Sequence, residues 1–272
     1  MVASRPAYSQ VNEPRVFLVT GATGAIGKAI ARQLADIDNS RVVLVCRNQQ
    51  KAERVINDII QSSQNPNVCY ILADISRHPE IKKLAAQWSG PLHVLINNAA
   101  VTPPTRQETP ESIELQFATN VLGYFRLVNE LSGILKASAP ARVINVASYW
   151  AGGLDINDLE FKRRRYNNDK AYRQSKQANR MLSIAFADKL YPDITVNACH
   201  PGDVNSRLSN DLGFGGHETP DQGADTPVWL ATDNVGREKT GCYFEHRREV
   251  TCPFSLDKQA VENLYNACVS YA

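Results

Sequence analysis

The sequence predicts an α/β fold, a doubly wound parallel sheet flanked by helices, and two observations carry this prediction. Short runs dense in Val, Ile and Leu recur along the chain, and segments of helical length separate them. Runs that are apolar throughout suit strands buried on both faces, as in a parallel sheet covered by helices. Regular alternation of strand and helix implies right-handed crossovers and one doubly wound sheet.

The elements follow in chain order. The predicted strands cover 15–20, 41–46, 68–73, 92–97, 142–147 and 194–199. The predicted helices cover 25–37, 48–62, 77–88, 109–137 and 171–190. No internal repeat or linker interrupts this pattern, so we expect residues 15–272 to form a single domain. Residues 1–14 are polar, lack the apolar core of a signal peptide and are expected to form a flexible tail.

Composition excludes several function classes. The chain of 272 residues carries 30 Lys and Arg against 28 Asp and Glu, so nucleic acid is not an expected partner. No run approaches the roughly 20 apolar residues of a membrane helix. The six cysteines show no CxxC pair and predict reduced thiols in a cytoplasmic protein. No metal site is predicted, because His200 has no second ligand at suitable spacing and is expected to cap a strand end.

A glycine-rich stretch, TGATGAIG, follows the first predicted strand and opens the first predicted helix. Strand, glycine turn and helix in this order are what dinucleotide binding requires. Glycines let the backbone approach a pyrophosphate, whose charge is met by free N–H groups and the helix dipole. The predicted contacts here are Gly21, Thr23, Gly24, Ala25, Ile26 and Gly27.

The end of the second strand indicates which dinucleotide binds. NAD sites place an Asp or Glu there to accept hydrogen bonds from the ribose 2′-hydroxyl. This chain has Arg47 and Asn48 and no acid at that point. A planar guanidinium pairs well with a 2′-phosphate, so we predict NADP(H) over NAD(H). The alternative, Arg47 as a solvated surface residue, explains the basic group but not the missing acid.

The pattern Tyr-x-x-x-Lys occurs twice, as Tyr166–Lys170 and Tyr172–Lys176. Spacing alone does not choose between them, because the chain has ten tyrosines. The two side chains share a face only in a helix. Residues 167–169 (NND) favour a turn, whereas an apolar helical pattern continues after Tyr172. We therefore predict Tyr172 and Lys176 as the working pair.

A phenol needs help to act as an acid–base catalyst, because its unperturbed pKa is about 10. Lowering that pKa to about 7 requires about 4 kcal/mol in favour of the phenolate. One ammonium about 4 Å away supplies about that much at an effective dielectric near 20. We expect Lys176 and the positive charge of oxidised nicotinamide to lower the pKa of Tyr172. Ser148, at the end of a predicted strand, is expected to hold the substrate oxygen.

These residues and several further motifs resemble the short-chain dehydrogenase/reductase family from Val16 to about Tyr265. The motifs are NNAA (97–100), FATNVLGYF with Asn120, INVAS (144–148) and HPGDVNSRL (200–208). The resemblance implies a Rossmann fold and an oxidoreductase with Asn120, Ser148, Tyr172 and Lys176 as catalytic residues. It further implies cofactor contacts by Asp74, Ile75, Asn98, Ala99, Tyr172, Lys176, Pro201, Gly202, Val204 and Ser206.

Within the family the chain resembles retinol-dehydrogenase-like and broad carbonyl-reducing members. An inserted segment, residues 152–168, lies between Ser148 and Tyr172, and YRQSKQAN is similar to the YSxSKLAN of those members. TPDQGADTPVWLATD followed by TGCYF is similar to their C-terminal segment. The TGxxGxxG spacing also resembles the sugar-nucleotide branch, but the stretch after Gly202 is too short for the substrate domain of that branch.

Several alternatives remain open at this point. A non-catalytic NADP(H)-binding redox sensor would keep the glycine loop but would not need all four predicted catalytic residues. The basic run 162–165 (KRRR) is either a solvated face or an anion contact near the site. Residues 213–216 (GFGG) could hinge a substrate lid or form a plain loop.

The substrate is predicted to be a small, apolar carbonyl or alcohol compound. The predicted pocket residues are Tyr149, Trp150, Leu208, Leu212 and Phe214. A homodimer is possible through segments 109–137 and 171–190. Apolar residues in the first segment (Phe117, Leu122, Phe125) would serve an ordinary core equally well.

Overall fold

The computed structural model describes residues 13–271, so most of the predicted N-terminal tail lies outside the described residues. The eight strands form one sheet in the order β3-β2-β1-β4-β5-β6-β7-β8. These strands are β1 Arg15–Thr20, β2 Ser40–Cys46, β3 Val68–Leu72, β4 Val94–Asn97, β5 Ala141–Val146, β6 Ile194–His200, β7 Tyr243–Glu245 and β8 Arg248–Val250. All neighbouring strands are parallel except β7 and β8.

Strand order reverses between β1 and β4, where the chain leaves one half of the sheet for the other. In open α/β sheets, ligands bind at the carboxyl ends of strands beside such a switch point. The predicted doubly wound fold is confirmed. All six predicted strands are present, although β4 begins two residues later than the apolar run suggested.

The helices cover both faces of the sheet. The α-helices are α1 Ala25–Ala35, α2 Gln49–Ser63, α3 His78–Gln87, α4 Gly123–Ala137, α5 Asn168–Leu190, α6 Arg207–Asp211, α7 Pro220–Thr232, α8 Val235–Glu238 and α9 Lys258–Val269. A π-helix, Phe117–Leu122, leads into α4, and a 3-10 turn, Pro253–Ser255, precedes α9. No helix within residues 13–271 is long and apolar enough to cross a membrane.

Alternation along β1 divides the core into two layers. Leu18 belongs to the cluster beneath α4 and α5, whereas Phe17 and Val19 belong to the cluster beneath α1 and α2. Successive strand side chains point to opposite faces, so a strand buried on both sides must be apolar throughout. This explains why the strand runs in this sequence do not alternate with polar residues.

The predicted helix 109–137 is wrong in its first part. Thr109 and Ile113 close a turn through a 2.8 Å backbone hydrogen bond, and Ser112 between them has a φ of 60°. Glu108 and Glu114 form a short antiparallel bridge across this turn. The left-handed Ser112 is incompatible with a continuous helix, so helical backbone begins only after Glu114.

The segments predicted to pair in a homodimer face the chain's own last helix. Phe125 of α4 packs 5.3 Å from the rings of Phe186 and Tyr265, which belong to α5 and α9. Phe117 packs 5.3 Å from the Tyr271 ring. These aromatic residues therefore serve the intramolecular core, and the homodimer stays a prediction.

Candidate active site

The glycine loop forms a tight cradle between β1 and α1. Gly21 has a φ of 65°, and a Cβ there would lie 2.7 Å from the Ala99 Cα. A Cβ on Gly27 would clash with the Gly21 carbonyl oxygen and lie 2.6 Å from Asn98 Nδ2. Only glycine fits these two positions.

Gly24, the middle glycine of TGATGAIG, lies where the loop would also accept a side chain. Gly24 is the N-cap of α1, with an ordinary φ of −84° and no side-chain cap. A Cβ on Gly24 would meet only the Gly21 carbonyl oxygen, at 3.3 Å. Ala25, the first helical residue, is exposed. The N-terminal N–H groups of α1 thus remain available to an anion, and the cradle fits a dinucleotide pyrophosphate.

A second set of contacts holds the floor of this cradle. The Thr20 hydroxyl accepts hydrogen bonds from the N–H groups of Asn98 and Ala99, at 2.9 and 3.1 Å. Asn98 Nδ2 donates to the Thr20 carbonyl at 2.9 Å. Residues after β4 are thereby fixed against the end of β1, as the predicted cofactor contacts require.

The residues predicted to select the dinucleotide lie at the carboxyl end of β2. Arg47 is exposed, and its Nη1 lies 3.9 Å from Asp74 Oδ2. Asp74 also accepts hydrogen bonds from Ser76, while Asn48 caps α2 by accepting from the Lys51 N–H at 2.9 Å. Because the Arg47–Asp74 contact is long and solvated, the guanidinium is free to turn toward an anionic ligand.

Ile75 differs from the other predicted cofactor contacts. Its side chain is 4% exposed and belongs to the core cluster that includes Val121 and Leu122. Its carbonyl oxygen faces Gly123, where a Cβ would lie 2.8 Å away. Ile75 can therefore reach a cofactor only through its backbone.

Tyr172 and Lys176 lie one turn apart on α5 and are both buried. The ammonium nitrogen of Lys176 is 5.5 Å from the centroid of the Tyr172 ring and donates to the Val146 carbonyl at 2.8 Å. Ser148 follows β5 and is hydrogen-bonded to the Tyr172 hydroxyl, which lowers the pKa of this phenol. The structure thus brings together the three predicted residues at one point.

Burial dominates the electrostatics of this group in the protein alone. Desolvation raises the pKa of Tyr172 to about 12, against the opposing hydrogen bond from Ser148. Desolvation also lowers the pKa of Lys176 to about 7. The expected lowering of the Tyr172 pKa also depends on the positive charge of oxidised nicotinamide and stays a prediction; in the protein alone, the lysine loses its own solvation and its ammonium contacts a carbonyl.

Tyr166 occupies a different environment from Tyr172. It precedes α5, whose N-cap is Asn167, so the first Tyr-x-x-x-Lys pair is not on one helical face. The Tyr166 hydroxyl donates to the Pro103 carbonyl at 3.0 Å and accepts from Gln116 at 2.9 Å. Lys170 is exposed. These contacts favour Tyr172 and Lys176 as the working pair.

Asn120 lies within the π-helix, a distortion frequently found at functional sites. Its Oδ1 accepts from the Val101 N–H at 2.9 Å, and its Nδ2 donates to the Val101 carbonyl at 3.1 Å and to Ser175 Oγ at 3.2 Å. Its side chain makes no hydrogen bond to Lys176, so any link to the lysine uses the backbone of the π-helix or a solvent molecule.

A cleft opens between the end of β6 and the loop after β5. Its walls include Ser148, Tyr172, Ile26 and the predicted nicotinamide contacts Pro201, Gly202, Val204 and Ser206. Ser206 also caps α6 by accepting from the Ser209 N–H at 3.2 Å. The cleft therefore joins the glycine cradle to the Tyr172 hydroxyl.

Most of the predicted substrate-pocket residues lie along this cleft. Tyr149, Trp150, Leu208 and Phe214 line the cleft, and the rings of Trp150 and Phe214 stack with centroids 5.0 Å apart. Leu212 does not line the cleft; this residue is the C-cap of α6. Residues four positions apart lie on one face of a helix, so helical spacing could not have separated Leu208 from Leu212.

Among the polar cleft residues that were not predicted as site residues are His200 and Asp203. His200 ends β6 and lies 4.6 Å from the Tyr149 ring, and burial lowers the pKa of its imidazole to about 3. Asp203 Oδ2 accepts from the Tyr149 hydroxyl at 3.4 Å. Both belong to the HPGD sequence, whose position directly after a strand was the available signal. Across residues 13–271, no three His, Cys, Asp or Glu side chains group as metal ligands.

The basic run is only partly solvated. Lys162 Nζ donates to Glu160 at 2.8 Å, and Arg164 donates to Asp158 at 3.1 Å. Arg163 and Arg165 are exposed. Lys162 and Arg164 therefore bind acidic residues of the inserted segment itself. Three backbone N–H groups of the run also donate to Asp158.

Comparison with known proteins decides the family. A profile described as short chain dehydrogenase matches residues 15–213. The chain belongs to the short-chain dehydrogenase family. It is 31% identical to retinol dehydrogenase 13 of Homo sapiens, covering 92% of this chain and 82% of that protein. It is 34% identical to dehydrogenase/reductase SDR family member 12 of Homo sapiens, covering 89% and 80%.

Solved structures agree with this assignment. The Pseudomonas aeruginosa RhlG/NADP active-site complex is 26% identical, with a TM-score of 0.67 and coverage of 86% of this chain and 95% of that chain. The predicted resemblance to retinol-dehydrogenase-like members of the short-chain dehydrogenase family is confirmed. Family membership makes this chain an oxidoreductase that acts on CH–OH or C=O groups with a nicotinamide cofactor.

Proposed function

We propose that this short-chain dehydrogenase is an NADP(H)-dependent carbonyl reductase in which Tyr172 is the acid–base residue. The observation that carries the proposal is the meeting of Tyr172 and Ser148 in the cleft that continues from the glycine cradle, with Lys176 buried one turn of α5 from Tyr172. When bound, the nicotinamide supplies or accepts the hydride. Residues 15–272 would form the single catalytic domain.

The protonation of the site favours reduction. A Tyr172 pKa near 12 keeps the phenol protonated at neutral pH, so it can donate its proton to a developing alkoxide. The Ser148 hydroxyl would hold the same oxygen. Lys176 has a pKa near 7 and is therefore partly charged at neutral pH, which lets its ammonium stabilise the phenolate left after the transfer.

NADP(H) selectivity rests on Arg47. Its exposed guanidinium follows β2 where an acid would mark an NAD site. The solved relative in complex with NADP supports the same choice. Asn48, Asp74 and the backbone of Ile75 would complete the adenosine end of the site.

The cleft suggests an apolar carbonyl substrate. The stacked rings of Trp150 and Phe214 and the half-exposed ring of Tyr149 offer apolar surface close to the Tyr172 hydroxyl. Relatives named retinol dehydrogenase support an apolar substrate of this kind. Six free thiols, four of them buried, support a reducing compartment such as the cytoplasm.

The test is NADPH oxidation by the purified wild type against a panel of apolar aldehydes, ketones and quinones, with the aldehyde of retinol included. NADH in place of NADPH is the matched control. We expect turnover of at least one apolar carbonyl with NADPH and much slower turnover with NADH. Tight NADPH binding without turnover of any compound would contradict the reductase and favour a redox sensor.

A further inference from the structure

A buried chain of hydrogen bonds joins the inserted segment, residues 152–168, to the active-site asparagine through Gln116. Gln116 is 0% exposed. Its Nε2 donates to the Tyr166 hydroxyl at 2.9 Å and to the Asn168 carbonyl at 3.1 Å. Its Oε1 accepts from Asn120 Nδ2 at 3.4 Å. One amide therefore holds the inserted segment, the first turn of α5 and Asn120 together.

From Asn120 the chain continues toward the predicted acid–base residue. Asn120 Nδ2 also donates to Ser175 Oγ at 3.2 Å, and Ser175 Oγ donates to the Tyr172 carbonyl at 2.7 Å. Asn120 and Ser175 are both fully buried. A shift of Gln116 would thus be felt on both sides of the site, at the π-helix and at α5.

The backbone of Gln116 is linked to the same inserted segment through Glu114. The Glu114 carboxylate accepts from the N–H groups of Gln116 and Phe117, at 2.9 and 2.7 Å. The Glu114 N–H in turn donates to Glu160 at 3.1 Å. These acceptors satisfy N–H groups at the start of the π-helix, where no earlier helical turn could do so.

We propose that Gln116 is a positioning residue that fixes Asn120 and the start of α5 for the reaction, with the inserted segment as its support. This inference rests on the proposed function. An amide with both hydrogens and its oxygen engaged cannot rotate without leaving buried groups unpaired. A misplacement of about 1 Å at a reacting group can cost about a hundredfold in rate.

A structural role alone would predict a different outcome, and Gln174 offers the matched control. Gln174 is 4% exposed, and its Nε2 donates to the Leu159 carbonyl at 2.9 Å. Its Oε1 accepts from the Asp155 N–H at 3.1 Å and from Arg164 at 2.9 Å. Gln174 is therefore an equally buried glutamine that binds the same inserted segment but makes no hydrogen bond to Asn120.

The experiment compares Gln116→Met and Gln174→Met with wild type in kcat, NADPH dissociation constant and Tm. We expect Gln116→Met to lower kcat at least about tenfold while the NADPH dissociation constant stays within about twofold. We expect Gln174→Met to lower Tm similarly and to keep kcat within about twofold. Unchanged kcat in Gln116→Met, or kcat losses that follow Tm in both variants, would overturn the inference.

Should Gln116→Met not fold, Tyr166→Phe carries the test, because it removes one partner of the Gln116 amide. A fall in kcat of about threefold at unchanged NADPH affinity supports the inference, and unchanged kcat overturns it. Failure of the proposed function has a separate signature: wild type itself would then reduce no carbonyl compound on the panel.

Discussion

The ammonium nitrogen of Lys176 lies 2.8 Å from the carbonyl oxygen of Val146, at the end of the strand that precedes Ser148. The same nitrogen is 5.5 Å from the ring centroid of Tyr172 and 5.8 Å from that of Tyr124. Among residues 13–271, the lysine is thus enclosed by aromatic rings and one carbonyl, without a carboxylate partner. Enclosure of this kind lowers the pKa of an amine and costs folding free energy when the amine is charged.

The pH dependence of stability tests this enclosure. The folded-state pKa of Lys176 is about 7 against an ordinary 10.5, so between these values the unfolded chain binds more protons. The cost is therefore present in full below pH 7 and is relieved as pH rises. We expect Lys176→Met to be more stable than wild type by about 2 kcal/mol at pH 6 and by clearly less at pH 9.

Urea unfolding at several pH values measures that difference. Lys170→Met is the matched control, since it removes an exposed lysine from the same helix and should change stability equally at every pH. A stability advantage of Lys176→Met over wild type that grew with pH would contradict the burial of the Lys176 ammonium.

The glycine loop makes a prediction about which glycine matters. Gly27→Ala should raise the NADPH dissociation constant at least about tenfold, because the new Cβ would press on the Gly21 carbonyl and on Asn98. Ala25→Gly should change it less than about threefold, since Ala25 is exposed. Fluorescence titration with NADPH measures both dissociation constants. Equal effects of Gly27→Ala and Ala25→Gly would contradict the tight packing at Gly27.

Cofactor choice should depend on Arg47. Removing a guanidinium that pairs with a phosphate costs about 1.5–3 kcal/mol, so Arg47→Ala should lower the NADPH over NADH preference in kcat/KM at least about tenfold. Arg54→Ala removes an exposed arginine from α2 and serves as the control. A preference that survived Arg47→Ala would mean that another group reads the 2′-phosphate.

The cleft makes a prediction about substrate affinity. Phe214 stacks on Trp150 and lines the cleft, whereas Leu212 does not line it. Phe214→Ala should therefore raise KM for an apolar carbonyl about tenfold without changing KM for NADPH. Leu212→Ala should leave both values within about twofold. Steady-state kinetics with both substrates varied measures these KM values. A larger effect of Leu212→Ala than of Phe214→Ala would contradict the assignment of the cleft as the substrate pocket.

The sequence predicted six of the eight strands in the described residues, β1 to β6, because strands covered on both faces must be apolar throughout. It did not predict the extra edge strand β8, whose three residues are exposed. The predicted helix start at residue 109 was wrong because local propensity does not show that the Glu114 carboxylate caps the helix, which begins only after this residue. Short or tertiary-dependent features leave little trace in composition.

The candidate site shows the same division. Spacing and helix signals favoured Tyr172 over Tyr166, and Tyr166 does precede α5, which begins at Asn168. Spacing could not reveal that burial would raise the pKa of Tyr172 and lower that of Lys176. Desolvation depends on which groups the fold packs around a charge, and those groups come from distant parts of the chain.

The most direct test of the account compares kcat for NADPH-dependent carbonyl reduction in Tyr172→Phe and Tyr166→Phe. The two variants remove the same hydroxyl from tyrosines six positions apart in the chain. We expect Tyr172→Phe to lose at least about a hundredfold in kcat, with NADPH binding kept, and Tyr166→Phe to lose no more than about fivefold. Retained turnover in Tyr172→Phe, or the larger loss in Tyr166→Phe, would contradict the assignment of Tyr172 as the proton donor.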